Sequence, residues 1–341
     1  MLIPIWFILW GLLWAVYFML DGFDLGAGML LPVIARNDRE KAMIYRAIGP
    51  FWDGNEVWLV ADGGVTFAAF PAAYAALFTA LYAPLMVVLF ALILRATAIE
   101  FREQLENMFW QRFWDSCFAL VSFVAAFFFG LIFANLFRGI PLDGAGMFQG
   151  SFGSLFNLYG LTGGVLFVAL FLLHGALWLG IKSTGVLLDR ATRLSRLLWV
   201  VTLILSILFL ALTAVATKLF ANYFDKPLLL IIPLAAAAGL VMMPRLLKGN
   251  RRWGAWFTSC LVIAGIALFG VMGMYPHLIP SSLDPAFGVT VHAAASSPST
   301  LKIMLGVVLI FVPLAIIYQG WVYRFFKEAI YKDELIQGEP Y

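Results

Sequence analysis

The chain has 341 residues, 63% hydrophobic and 12% charged, with a formal net charge of +3 and a mean hydropathy of +0.95. Soluble domains carry roughly 25% charged residues, and a water-soluble fold of this length cannot hide so much apolar surface, so lipid must be the solvent for much of the chain. The near-neutral charge offers no nucleic-acid surface. Cys117 and Cys260 stand far apart in apolar runs, which excludes a CxxC site, a CxxCH haem attachment and a disulfide framework.

A helical span needs about 20 apolar residues. The first runs from Ile3 to about Leu31, passing directly into DGFDLGAG with no basic n-region or A-x-A site, so no cleavable signal is expected. A weak second span covers about Phe51 to Phe70 and a third Ala73 to Arg95. The fourth is Cys117 to Phe137, the fifth Leu161 to Ile181, the sixth Leu197 to Phe220, the seventh Pro227 to Met243, the eighth Ala255 to Met274 and the ninth Leu301 to Val322. The connections are short; the longest, Tyr275 to Thr300, is rich in Pro, Ser and Ala. The expectation is an all-α integral membrane protein of about nine transmembrane helices, with no soluble domain.

Lys and Arg give the orientation. One set of loops carries Arg36, Arg39, Lys41 and Arg46, then Arg95, Arg102 and Arg112, then Lys182, Arg190, Arg193 and Arg196, then Arg245, Lys248, Arg251 and Arg252, and in the tail Arg324, Lys327 and Lys332. The alternate loops hold Arg138, Lys218, Lys226 and Lys302, so the bias is eighteen to four. This predicts an outer N-terminus, a cytoplasmic C-terminus and an odd number of spans; eight would fit only with a re-entrant segment, the weak second span being the first choice.

Ionisable groups inside spans cost about 2.5–3.5 kcal/mol on insertion scales and point to function. Asp21 and Asp24 are three apart and share a helix face, as do Asp53 and Glu56 in WDGNEVW at the start of span two. Two acidic pairs on neighbouring helices suit a hydrogen-bonded proton path; the bland alternative is that Asp53 and Glu56 cap span two. Asp62, followed by Gly63 and Gly64, marks an unwound or outer end of that span. Gly22, Gly26 and Gly28 form a small-residue face beside the acids that admits a close backbone, in plain helix packing or as a subunit interface. Arg95, with Glu100 beyond it, reads as a snorkelling anchor or carboxylate partner, or more sharply as a contact to an acidic cofactor group on another chain. His174 lies mid-span without an evident second axial ligand, so a packed histidine bonded to a helix carbonyl is the simpler reading. Trp6, Trp10 and Trp14 form one stripe, by default facing lipid. Taken alone, these residues describe a proton-handling membrane subunit without its own redox centre.

Ordered blocks run the length of the chain: DGFDLGAGML (21–30), RNDRE (36–40), GPFWDGNEVWLV (49–60), GGVTFAAFPAAYA (63–75), RATAIEFR (95–102), FWDS (113–116), FANLFRGIP (133–141), YGLTGG (159–164), HGALWL (174–179), MYPHLIPSS (274–282), SSPSTLKIM (296–304) and VPLAIIYQGW (312–321). In these the chain resembles subunit II of cytochrome bd-type quinol oxidases. The resemblance implies two four-helix bundles, residues 1–140 (spans one to four) and 155–280 (spans five to eight), plus a peripheral ninth span at 299–325. It implies a haem-bearing subunit I as partner, holding haems b and b or d and the main quinol site. That partner would oxidise quinol, reduce O2 to water and draw protons from the cytoplasm of a bacterium or archaeon. It further implies that Asp53 and Asp24 belong to a proton path, that Trp58 lines an O2 route, and that no haem iron is ligated here. A bound structural quinone and a small single-helix subunit occur in some members and stay open. The competing reading is a proton-coupled secondary transporter using Asp21, Asp24 and Asp53, against which no internal repeat is visible.

Overall fold

In the computed structural model, which describes residues 2–330, the first span is two helices in line: α1 (Leu2–Leu20) and α2 (Gly22–Ile34), joined at Asp21. An amphipathic helix, α3 (Asp38–Ile48), capped by the Asn37 side chain on the Glu40 N–H, follows on the lysine- and arginine-rich side. Then come α4 (Trp52–Ala69), α5 (Pro71–Ala80), α6 (Tyr82–Phe101) and α7 (Met108–Arg138). The second half comprises α8 (Leu158–Lys182), α9 (Gly185–Ala216), the short α10 (Leu219–Asp225), α11 (Ile231–Lys248), α12 (Arg252–Met274), a one-turn α13 (Val291–Ala294) and α14 (Pro298–Phe325).

Among the described residues eight helices are long and apolar enough to cross a membrane, and the pair α4–α5 makes a ninth if it counts as one crossing. The chain is an all-α integral membrane protein. Among the described residues the one sheet is the antiparallel pair β1 (His277–Ile279) and β2 (Val289–Thr290) in the long connection before α14. That connection is tied to the end of α7: Ile140 N–H donates to the Pro280 carbonyl and Ser282 N–H to the Ile140 carbonyl. The crossing passes Gly139, whose φ of +90° and close approach to the Pro280 backbone suit glycine alone.

Three expectations about the spans need correction. Ala73 lies in α5 rather than at the start of the third crossing, which is α6; α4 and α5 meet at 119°. Pro71 opens α5 and pushes Phe70 out of helical geometry (φ −135°, ψ 60°), a bend that continuous hydropathy does not register. Asp62 neither unwinds nor ends a span: α4 continues to Ala69 and Asp62 is buried within it. The sixth crossing stops at Ala216, leaving Phe220 in α10.

At the centre, α8 packs on α2, α7, α9 and α12, whereas α14 touches α1 and α4 and is peripheral. The closest crossing is α2 on α8: a Cβ on Gly26 would lie 1.9 Å from the Phe171 carbonyl oxygen, and one on Gly175 would lie 2.5 Å from the Gly26 backbone. The tryptophan stripe faces inward. Trp6 and Trp10 are buried and donate to the Leu301 carbonyl and to Thr66 Oγ1, and Trp14 packs on Phe18 and Phe133.

Candidate functional site

Where α1 meets α2, two backbone carbonyls are taken up by side chains of other helices. His174 Nε2 on α8 lies 2.8 Å from the Met19 carbonyl oxygen, and Asn55 Nδ2 on α4 donates to the Leu20 carbonyl at 3.0 Å. The join therefore gathers α1, α2, α4 and α8 around Asp21 and Asp24, both with no exposed surface.

Two connected polar groups meet there. In the first, Arg95 from α6 sets Nη2 2.7 Å from Asp21 Oδ1 and also pairs through Nη2 with Glu56, one turn into α4. Tyr17 O–H donates to Asp21 Oδ2 at 2.9 Å. Arg95 is fully buried, and its Nε and Nη1 have no hydrogen-bond partner among the described residues. In the second, Asn55 Nδ2 donates to Asp24 Oδ2 at 2.7 Å, while Asn55 Oδ1 accepts from Gln319 Nε2 at 2.9 Å and from Tyr323 O–H at 3.0 Å. Trp58 Nε1 donates to Gln319 Oε1 at 2.7 Å. Three carboxyls and one guanidinium thus share a membrane-embedded site, where unpaired charge is costly and paired acids mark ion or proton pathways.

Asp53 precedes this site on α4. It is exposed in the first turn of α4, one turn before Glu56, and does not cap the helix: the cap position is Phe51 and carries no side-chain bond. Trp58 is buried and lines an apolar groove of about 550 Å³ between α1, α4, α12 and α14, with Gln319 and Tyr323 at its polar end.

The remaining sequence candidates fall elsewhere. Arg95 is a buried carboxylate partner inside α6 and leaves the loop count, making the charge bias seventeen to four; Lys332 lies outside the described residues. Glu100 is exposed and makes no ion pair with Arg95. The glycine face cannot be a subunit interface, because this chain fills it: Gly22 and Gly26 abut Phe171 of α8, and Gly28 abuts Phe118 and Ser122 of α7. Asn55, Tyr17, Gln319 and Tyr323 escaped the sequence reading. Asn55 had a visible signal, an amide within WDGN beside two acids, but its partners lie up to 268 residues away. A separate buried group holds Asp62: Thr66 Oγ1 donates to the Asp62 carbonyl at 2.8 Å and accepts from Trp10.

On the lysine- and arginine-rich side, charge pairs fasten α3. Arg190 of α9 bonds Glu40 and the Ile34 carbonyl, and Asp115 of α7 accepts from Arg102 Nε at 2.7 Å and Lys41 Nζ at 2.9 Å. Burial, reinforced by the Asp115 charge, pushes the Tyr45 phenol above its ordinary range.

His174 does not fit an axial haem ligand. With Nε2 against the Met19 carbonyl, Nδ1 lies 2.6 Å from Ser259 Oγ, and the ring stacks on Trp256, so both nitrogens are engaged inside the helix bundle.

A family model described as cytochrome bd terminal oxidase subunit II matches residues 2–326. The chain belongs to this family. It is similar to a probable cytochrome oxidase subunit 2 of Haemophilus influenzae, with 34% identity covering 94% of this chain and 92% of the relative. Cytochrome bd ubiquinol oxidase subunit 2 of Bacillus subtilis is 33% identical, covering 97% of both chains. Cytochrome bd-I ubiquinol oxidase subunit 2 of Escherichia coli is 30% identical, covering 97% of this chain and 96% of the relative. A chain of the bd oxidase from Geobacillus thermodenitrificans has the same fold, with a TM-score of 0.75 at 18% identity over 95% of this chain and 98% of that one. As a bd oxidase subunit, the chain works as one part of a terminal oxidase, which displaces the transporter reading.

Proposed function

We propose that this chain is the haem-free half of a membrane quinol oxidase, holding a haem-bearing subunit I in place and passing cytoplasmic protons toward it. The observation that carries this reading is the gathering of Asp21, Asp24, Glu56 and Arg95 behind the exposed Asp53. O2 reduction consumes protons, and a series of carboxyls at hydrogen-bonding range is the usual way to bring them through apolar protein. The apolar groove beside Trp58 suits O2, which partitions into apolar surroundings, and offers an apolar seat for a structural quinone.

Subunit I then covers the face made by α4, α5 and α6. Val57, Val60, Phe67, Tyr82 and Phe90 are exposed there, and Gly54, Gly63 and Gly64 have nothing within 4 Å of an added Cβ. Small residues let a facing helix approach closely. This replaces the glycine face of α2 as the interface. The two four-helix bundles and peripheral span, an outer N-terminus and a cytoplasmic C-terminus complete the proposal.

Optical spectra test it. The chain purified alone should lack haem absorbance, and the chain co-purified with its natural partner should show it together with quinol-driven O2 uptake. Haem bound stoichiometrically by the isolated chain would reject the division of labour.

A further inference from the structure

The side of the molecule that is poor in Lys and Arg carries Arg138, Lys218, Lys226 and Lys302. Three of these converge. Arg138 ends α7, Lys218 precedes α10 and Lys226 follows it. Arg138 and Lys218 line a cleft of about 700 Å³, walled on its far side by His277 and the 280–283 segment. Lys226 lines a smaller hollow of about 220 Å³ whose other walls include Pro4, Phe7, Ile8, Leu229 and Met272. The two spaces share Asn222 and Tyr275, and Lys226 Nζ lies 4.7 Å from the centre of the Tyr275 ring. The Asn222 amide is spent on the Met272, Gly273 and Tyr275 carbonyls, so it shapes the common wall.

Arg138 and Lys218 make the cleft cationic, while the hollow is walled mainly by apolar side chains with Lys226 among them. All three cations are exposed, and none forms a salt bridge among the described residues. The nearby acids are Asp225, exposed beside Lys226, and Asp284, which accepts from the Ala286 N–H. Around the site Val215, Phe224, Leu228 and Ile231 are strongly exposed, as befits residues that meet lipid at the end of the spans.

We propose that this adjoining cleft and hollow bind one anionic phospholipid lying across their common wall, its phosphate among Arg138, Lys218 and His277 and an acyl chain along Phe7, Leu229 and Met272. A small free anion would use the cationic end alone and leave the hollow unexplained. A neutral lipid would use the hollow alone and leave the clustered charge unexplained. The bound lipid fastens α10 and the 275–290 connection to the membrane surface on this side.

The test uses the assembled complex in phosphatidylcholine nanodiscs containing a minor share of phosphatidylglycerol, with retained lipid counted by native mass spectrometry. Wild type should keep one phosphatidylglycerol and release phosphatidylcholine. Each cation at a membrane surface changes anionic-lipid binding by roughly fivefold. The combined Arg138→Gln, Lys218→Gln, Lys226→Gln variant should therefore lose more than about tenfold of the retained lipid. Lys302→Gln, on the same side but outside the cleft, should keep it. Equal retention of the two lipids by wild type, a requirement that needs no variant, would overturn the proposal. So would equal loss in Lys302→Gln, or saturable binding of inorganic phosphate with no preference for the lipid.

Discussion

Asn55 donates to Asp24 Oδ2 at 2.7 Å with the same amide that reaches the Leu20 carbonyl, so one side chain of α4 supports both a buried acid and the join between α1 and α2. Removing it should have two separable effects. Asn55→Ala strands two buried acceptors, at about 1–3 kcal/mol each, and should lower the melting temperature and O2 uptake together. Asp24→Asn keeps the size and most hydrogen bonding, so it should melt near wild type while O2 uptake per haem falls. A normal turnover rate in Asp24→Asn would remove that acid from the path.

Arg95 should be a structural requirement of the same site. It is fully buried between Asp21 and Glu56, and removing one partner of a buried pair costs about 3–5 kcal/mol because the other charge is left uncompensated. Arg95→Gln should sharply reduce the yield of folded complex. Adding Asp21→Asn and Glu56→Gln to the same chain should restore part of the yield, since no charge is then stranded. Equal yields for the single and triple variants would contradict a charge-balance role.

Gly26→Leu should damage this chain before it damages any assembly. A Cβ there meets the Phe171 carbonyl at 1.9 Å, and a backbone cannot step aside as a flexible side chain does. Overpacking costs typically 1–3 kcal/mol and more against backbone. The isolated chain in detergent should melt lower or aggregate. A normal melt of the isolated variant would contradict a clash within the chain.

His174→Ala should leave the haem content of the complex near wild type, because both ring nitrogens are held by Met19 and Ser259. The expected effect is a stability loss of about 1–3 kcal/mol from the buried carbonyl and hydroxyl left without this partner. A difference spectrum normalised to protein decides: one haem missing per complex would make His174 a ligand after all.

Most of the spans were legible because apolar runs of about 20 residues have few other uses. Pro71 was visible, yet Phe70 to Tyr82 carries no charged residue, so composition could not show that the chain turns by 119° there. The acids Asp21, Asp24 and Glu56 stood out by their cost in lipid. Their pairing did not, because Arg95 lies 74 residues beyond Asp21 and the choice between anchor and partner is made by tertiary packing. The glycine spacing implies a close crossing, but nothing local says which helix makes it, so an expected subunit interface is instead a contact within the chain, at Phe171 and Gly175.

Asp53 is the acid whose role is most open to test. It is exposed at the start of α4, in contrast to the buried Asp21 and Asp24, and lies one turn from Glu56, which reaches Arg95 and through it Asp21. An entry group needs this position: water on one side to load it, a second carboxyl within a helical turn on the other. Two roles compete. As a favourable charge in the first turn of α4, Asp53 would contribute about 0.3–1 kcal/mol to stability and nothing to turnover. As the entry relay, it must take up and release a proton at every cycle, which an amide cannot do. Asp53→Asn should therefore leave assembly and haem spectra intact while slowing quinol-driven O2 uptake, with the deficit growing toward alkaline pH, where protons are scarce and a collecting carboxylate matters most. Asp53→Glu should recover much of the rate by restoring a titratable group one methylene longer. Oxygen uptake per haem from neutral to alkaline pH separates the two roles: a wild-type profile in Asp53→Asn leaves the helix-charge role alone standing.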